Sequence, residues 1–300
     1  MYREFYGLNA EPFSLNSDAS FFFPGKSYKT AEMILDYAIL RKEGVVLITG
    51  EIGCGKTALI HHFLRRTPTD NDVGVISNPG VLRSIPLYGV LGAFGQLAAH
   101  REEAELYAHF QSYLKSQYDA GRSTILIVDE AQSLSQQILE ELRILTNPEP
   151  HASYALQLVL VGQPQIRQTL FLPGLSQLLQ RVTVHYHLYA LEETETIKYV
   201  LFRLKRAQCD SAIFTPAALS RIYVSSRGIP RVINIICDIS LMYGYAEGLH
   251  QVDEDVIKQV ISDRDITSMP GQRQSPTLLQ HDSPSWHMDH EDIKLLFKKQ

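Results

Sequence analysis

The run Gly50-Glu51-Ile52-Gly53-Cys54-Gly55-Lys56-Thr57 fits G-x-x-x-x-G-K-[ST], and no other stretch constrains the fold as tightly. An apolar segment, Val45-Val46-Leu47-Ile48-Thr49, precedes it, and a helical pattern from Ala58 to Arg66 follows. Strand, glycine-rich loop and helix in that order form the context in which such a run cradles phosphate. Its glycines let the backbone curl until the N–H groups point inward at phosphate oxygens. The start of the following helix, at Ala58, adds partial positive charge at the same place. Lys56 is then expected to reach the β- and γ-phosphates, and the Thr57 hydroxyl to take a position on Mg²⁺. The stretch implies nucleoside triphosphate binding.

A second signal lies in Thr124-Ile125-Leu126-Ile127-Val128-Asp129-Glu130-Ala131. Four aliphatic residues followed by two acids describe a strand buried on both faces that delivers carboxylates at its end. Asp129 is placed to hold Mg²⁺ opposite Thr57, and Glu130 to polarise the water attacking the γ-phosphate. Together the two signals predict hydrolysis as well as binding.

The remaining chain reads as α/β and then all-helical. A helix is expected over Tyr28–Arg41 and strands over Val73–Ser77, Leu156–Val161 and Val182–Leu188. Pro86–Tyr118 reads as largely helical, and Ser135–Thr146 as an amphipathic helix stopped by Asn147-Pro148. Strands separated by helices imply a mostly parallel sheet covered on both faces. From Leu191 the pattern holds only helices, over Glu192–Gln208, Pro216–Ser226, Pro230–Ala246 and Asp253–Ser262. The expected domains are an aromatic-rich segment (1–27) packed on the nucleotide-binding core, that core itself (28–190), a helical lid (191–265) and a disordered tail (266–300). In the first segment, packing is the expected role of most rings, with coverage of an adenine base the alternative. Within the tail, Asp292–Lys299 reads as a short amphipathic turn, and His281, His287 and His290 as solvated.

Composition excludes some classes. An apolar share of 45% and a charged share of 20% belong to an ordinary globular protein, and a net charge of -5 offers no global attraction to nucleic acid or anionic membrane. The three cysteines, Cys54, Cys209 and Cys237, are too few and too scattered for a disulfide framework or a zinc site, which points to a reducing, cytoplasmic setting. No stretch is long and apolar enough to span a bilayer, and the N-terminus lacks a signal-peptide pattern. His185-x-His187 puts two imidazoles on one strand face, either a metal pair short of a third ligand or sheet-surface histidines. Arg203, Lys205 and Arg206 form either a solvated helix face or a contact for DNA phosphates.

These residues carry a resemblance. The glycine-rich run, the acids in Ile127-Val128-Asp129-Glu130-Ala131 and the all-helical lid resemble the AAA+ ATPases, with their P-loop NTPase three-layer parallel sheet. More narrowly, the chain resembles the ATPase of the general secretion pathway protein A type. That likeness rests on Tyr2-x-x-Phe5-x-Gly7-Leu8-x-x-x-Pro12-Phe13, Val128-Asp129-Glu130-Ala131-Gln132, Leu158-Val159-Leu160-Val161-Gly162-Gln163-Pro164, Gln180-Arg181-Val182 and Gly228-Ile229-Pro230-Arg231-Val232-Ile233-Asn234. The resemblance implies ATP and Mg²⁺ as cofactors, Gln163 as the polar sensor that helps orient water, and Arg231 as a second sensor on the lid. It makes Arg181 either an arginine finger reaching a neighbouring subunit or an ordinary surface ion pair. It also implies a ring or filament of copies acting on a protein component of a bacterial secretion or export system, in the cytoplasm or held at the inner membrane by a partner. Secretion members often continue into a membrane-spanning helix and a cell-wall-binding domain, and these 300 residues contain neither pattern. Two alternatives therefore stay open: a DNA-binding transposition regulator that recruits a transposase, and a low-turnover nucleotide-dependent scaffold.

Overall fold

A computed structural model describes residues 1–15, 21–41, 44–68, 70–96, 102–146, 155–209 and 211–267. The readings of Asn147-Pro148, of the tail histidines and of Asp292–Lys299 fall outside them. The chain divides into two compact units, one from Pro24 to Ala190 and one combining Met1–Phe23 with the chain from Leu191 onward.

The first unit contains α2 (Lys26–Leu40), β1 (Val45–Gly50), α3 (Lys56–Arg66), β2 (Asn71–Ile76), α4 (Pro86–Ala93) and α5 (Glu103–Asp119). It continues with β3 (Ser123–Val128), α6 (Gln136–Leu145), β4 (Leu156–Gly162), α7 (Gln165–Leu170), α8 (Ser176–Arg181) and β5 (Val182–Leu188). The strands form one all-parallel sheet in the order β2-β3-β4-β1-β5. The fold is α/β, as expected. Continuous aliphatic runs belong to strands covered on both faces, and β1 and β4 are buried along their whole length. The edge strands β2 and β5 are only partly buried. Alternate side chains serve opposite faces: Val45 and Leu47, Leu126 and Val128, and Leu156, Leu158 and Leu160 join one core with residues of α4 to α8. On the other side of the pleat lie Val46, Ile48, Ile125, Ile127, Val159 and Val161, all buried, while α2 packs on β1, β5 and α3.

Two local departures from the expected pattern have plain causes. The helix read through Pro86–Tyr118 is two helices, because Gly95 takes φ 68° just after α4 and the Gln96 N–H turns back onto the Leu91 carbonyl. The short helices α7 and α8 escape a periodicity reading because each spans six residues.

In the second unit α1 (Tyr2–Phe5) precedes the helices α9 (Glu193–Arg206), α10 (Pro216–Ser226), α11 (Pro230–Ala246) and α12 (Glu254–Thr267). The N-terminal rings, expected against the nucleotide-binding core, lie instead in this unit's own core. Tyr6, Leu8, Phe13 and Phe21 cluster with Val200, Leu204, Ile233 and Leu241. Polar anchors fix the segment there. The Tyr2 hydroxyl donates to Asp238 Oδ1 at 2.6 Å, and the Tyr6 hydroxyl to the Leu249 carbonyl at 2.9 Å. Arg203, read from sequence as a solvated or DNA-facing cation, is 6% exposed. Its guanidinium donates to the carbonyls of Pro12 and Ser14 and to the Tyr199 hydroxyl, so it straps the segment down. Its place in the basic cluster is thereby corrected, since a guanidinium buried against three internal acceptors is not presented to a phosphate at the surface.

Candidate nucleotide site

The loop between β1 and α3 is built by backbone conformations that only glycine adopts easily. Gly53 stands at φ 81° and Gly55 at φ 94°. A Cβ on Gly55 would lie 1.8 Å from the Tyr28 hydroxyl, which donates to the Cys54 carbonyl. The helix preceding the sheet thus seals the loop from one side, and two further contacts hold that helix in place. Ser27 Oγ meets the Tyr186 hydroxyl at 3.1 Å and accepts from the Tyr189 N–H at 2.9 Å. Side-chain contacts tie α2 to α3: His62 Nε2 meets Glu32 at 2.6 Å, and Arg66 forms ion pairs with Glu32 at 3.1 Å and Asp36 at 2.7 Å.

Lys56 is buried at 6% exposure, and its ammonium donates to the carbonyls of Gly50 at 2.9 Å and Glu51 at 3.2 Å. Cys54 fills space against Gly50, where a Cβ would meet its Sγ at 2.6 Å. Burial pushes its thiol up to about 11, which leaves it a packed neighbour of the loop. Glu51 and Ile52 project into solvent, Gly53 is half-buried, and Ala58 lies in the first turn of α3.

Parallel register carries the other residues to the same edge of the sheet. Thr49 of β1 is level with Gly162 of β4, and Val128 of β3 with Leu160 of β4. Gly50, Asp129 and Gln163 therefore all leave the carboxyl ends of neighbouring strands, where parallel α/β sheets place their ligands. The decisive distance is 2.7 Å, from Thr57 Oγ1 to Asp129 Oδ2. Asp129 is 3% exposed, and its other oxygen accepts from the Glu130 N–H at 2.8 Å. That bond helps hold Glu130 at φ 53°, a left-handed conformation costly for a residue with a side chain, and Glu130 itself is exposed.

Together these groups fit a magnesium-bound nucleoside triphosphate. A hydroxyl and a carboxylate converging on one point are hard oxygen donors of the kind Mg²⁺ takes while keeping water and phosphate oxygens as its other ligands.

Residues 39–170 match the family described as "AAA domain". General secretion pathway protein A of Aeromonas hydrophila is 38% identical over 254 residues, 84% of this chain and 46% of that protein. Residues 39–170 form an AAA domain. The chain spans about half the length of this curated relative. Solved structures share the fold at low identity. Cdc6p from Pyrobaculum aerophilum has a TM-score of 0.64 at 15% identity, covering 84% of this chain and 70% of that one. The Aeropyrum pernix ORC2 protein, with ADPNP and ADP, has a TM-score of 0.62 at 15% identity, covering 87% and 73%.

The other sequence-derived candidates fall in several places. Gln163 is half-buried at the end of β4, and its backbone N–H donates to Gln132 Oε1 at 2.9 Å. Arg181 ends α8 with its guanidinium turned onto the C-terminus of α6, donating to Thr146 Oγ1 at 2.8 Å and the Arg143 carbonyl at 3.3 Å. Arg231 is exposed in the first turn of α11 in the second unit. The turn before it is fixed by Gly228 at φ 72°, where a Cβ would lie 1.8 Å from the Leu191 carbonyl. His185 Nε2 and His187 Nδ1 both stand 3.0 Å from Thr49 Oγ1, so both imidazoles are engaged on a residue of the sheet. Burial holds His187 below the ordinary histidine range; Glu51 opposes that shift, while Arg167 and Lys56 add to it. Sequence reasoning missed Tyr28 and gave Gln132 no role, although Gln132 stood within the acidic run that carried the resemblance.

Proposed function

We propose that this chain is a Mg²⁺-dependent ATP hydrolase that assembles with copies of itself and drives assembly or remodelling in a bacterial secretion or export system. The observation that carries the catalytic part is the 2.7 Å approach of Thr57 to Asp129, which joins the phosphate loop to the acidic strand end. The secretion setting is supported by the 38% identity to General secretion pathway protein A. Among the described residues no helix is long and apolar enough to cross a membrane, which accords with work in the cytoplasm or at the membrane through a partner.

In this reading the backbone N–H groups of Gly53 to Thr57 bind the phosphates, and Lys56, with two of its three donors on loop carbonyls, offers the third to a phosphate oxygen. Thr57 and Asp129 hold the metal, which when bound neutralises charge building on the phosphates. Glu130 takes the proton of the attacking water, and Gln163 helps place that water. Arg181 completes the site of a neighbouring copy.

The test is ATP turnover by the purified chain across a hundredfold range of protein concentration. Specific activity is expected to rise with concentration, and Arg181→Ala is expected to remove that rise and lower the plateau by about 10³-fold, the low end for a trans-acting arginine. Unchanged turnover by Arg181→Ala at every concentration would discard the trans-acting role. Parent turnover accelerated by duplex DNA at low salt would favour the DNA-binding alternative.

A further inference from the structure

Gln132 sits between the two residues read as base and sensor. Its Nε2 donates to Glu130 Oε2 at 2.5 Å, and its Oε1 accepts from the Gln163 N–H at 2.9 Å. The backbone leaves room for this bridge: a Cβ on Gly162 would stand 2.7 Å from Gln132 Oε1 and 3.2 Å from the Gln132 nitrogen. The amide's polarity is set from one end. A backbone N–H only donates, so Oε1 must face Gln163 and the NH₂ must face the carboxylate. Glu130 is also fixed by its own backbone, at φ 53° and with its carbonyl accepting from Ser133 Oγ at 2.8 Å. With the main chain locked, one donor is enough to choose the direction of the carboxylate.

We propose that Gln132 is a positioning residue for hydrolysis: its side-chain amide aims the Glu130 carboxylate and ties it to the end of β4 that carries Gln163. The inference rests on the reading of Glu130 as the base. A displacement at Gln163 passes through one amide to Glu130, so the state of the sensor strand sets the orientation of the base. The bridge spans residues that the sheet order makes neighbours, because β3 and β4 pair directly.

Gln132→Glu separates this role from a structural one. The substitution keeps size and an oxygen acceptor for the Gln163 N–H, but it presents a carboxylate to Glu130 in place of a donor. Expected is a kcat lower by about 10- to 100-fold, the usual effect of removing a group that orients an active-site residue, with KM for ATP within about twofold and an unchanged melting temperature. In a Glu130→Gln background the same change should move the residual rate by less than about twofold, because the residue it acts through is gone. A second readout needs no turnover: in the nucleotide-free protein, Glu130→Gln should shift the NMR signals of both the Gln132 side-chain NH₂ and the Gln163 backbone N–H. A parental kcat in Gln132→Glu, or no response of those two signals, overturns the proposal. If Glu130→Gln itself hydrolyses ATP like the parent while the NMR coupling is present, the base assignment fails and the bridge stands.

Discussion

Tyr28 lies outside every recognisable phosphate-loop pattern, yet its hydroxyl is the nearest heavy atom to the space a side chain on Gly55 would need. The bond it gives to the Cys54 carbonyl fixes one peptide of the loop while the ring stays buried. Tyr28→Phe keeps the ring and removes that bond. The expected cost is about 1 kcal/mol of stability and, with a looser loop, MgATP binding weaker by about fivefold, corresponding to a loss of the same size. Calorimetric titration of the variant checks this, and parental affinity would remove the latch role. His187 makes a pH prediction at the same scale. Its folded pKa lies below the ordinary histidine range, so between the two values the unfolded chain binds the extra proton. Its contribution to stability is full above the ordinary value and is lost as pH falls through the folded one. Melting temperature should therefore drop on acidification from pH 7.5 toward 5.5, with a shallower slope in His187→Gln; identical slopes would show that His187 plays no part.

At the scale of elements, α2 and the N-terminal segment do work that their sequences hardly advertise. The first, α2, braces the loop helix through Glu32 and Asp36 and seals the loop through Tyr28. The second is held by a buried guanidinium. Arg203→Met should destabilise the helical unit by about 2–4 kcal/mol, since carbonyls that had a charged donor are left without it. Chemical denaturation followed by near-UV dichroism measures the loss, and a change under 0.5 kcal/mol would contradict the strap (surface substitutions fall in that range). These elements also mark where sequence stops being informative. Gly53, Gly55, Lys56 and Thr57 are legible because a local conformation demands them, and the strands β1, β3 and β4 because burial on two faces demands continuous aliphatic runs. By contrast, the seat of Phe13 and Phe21 depends on helices some 190 residues further along the chain. An aromatic ring carries no label for which core it joins. The Gln132 bridge was hidden for the same reason: it depends on β4 lying beside β3. Parallel strands in a sequence do not state their order.

Over the whole molecule, the sheet gathers the glycine-rich loop, Asp129, Glu130 and Gln163 at one edge, where the function proposed above puts ATP turnover. Arg181 places two of its five N–H donors, both on Nη1, on the end of α6 within its own chain, so its guanidinium is held there while the others can serve a neighbour. The central claim is narrower than the assembly, namely that Glu130 activates water beside a metal held by Thr57 and Asp129. A single-turnover experiment with labelled ATP on the parent chain and Glu130→Gln tests it most directly. The account predicts that the variant binds MgATP with parental affinity and releases phosphate about 10²- to 10⁴-fold more slowly, the range set by a general base. Phosphate release at the parental rate from Glu130→Gln would contradict it.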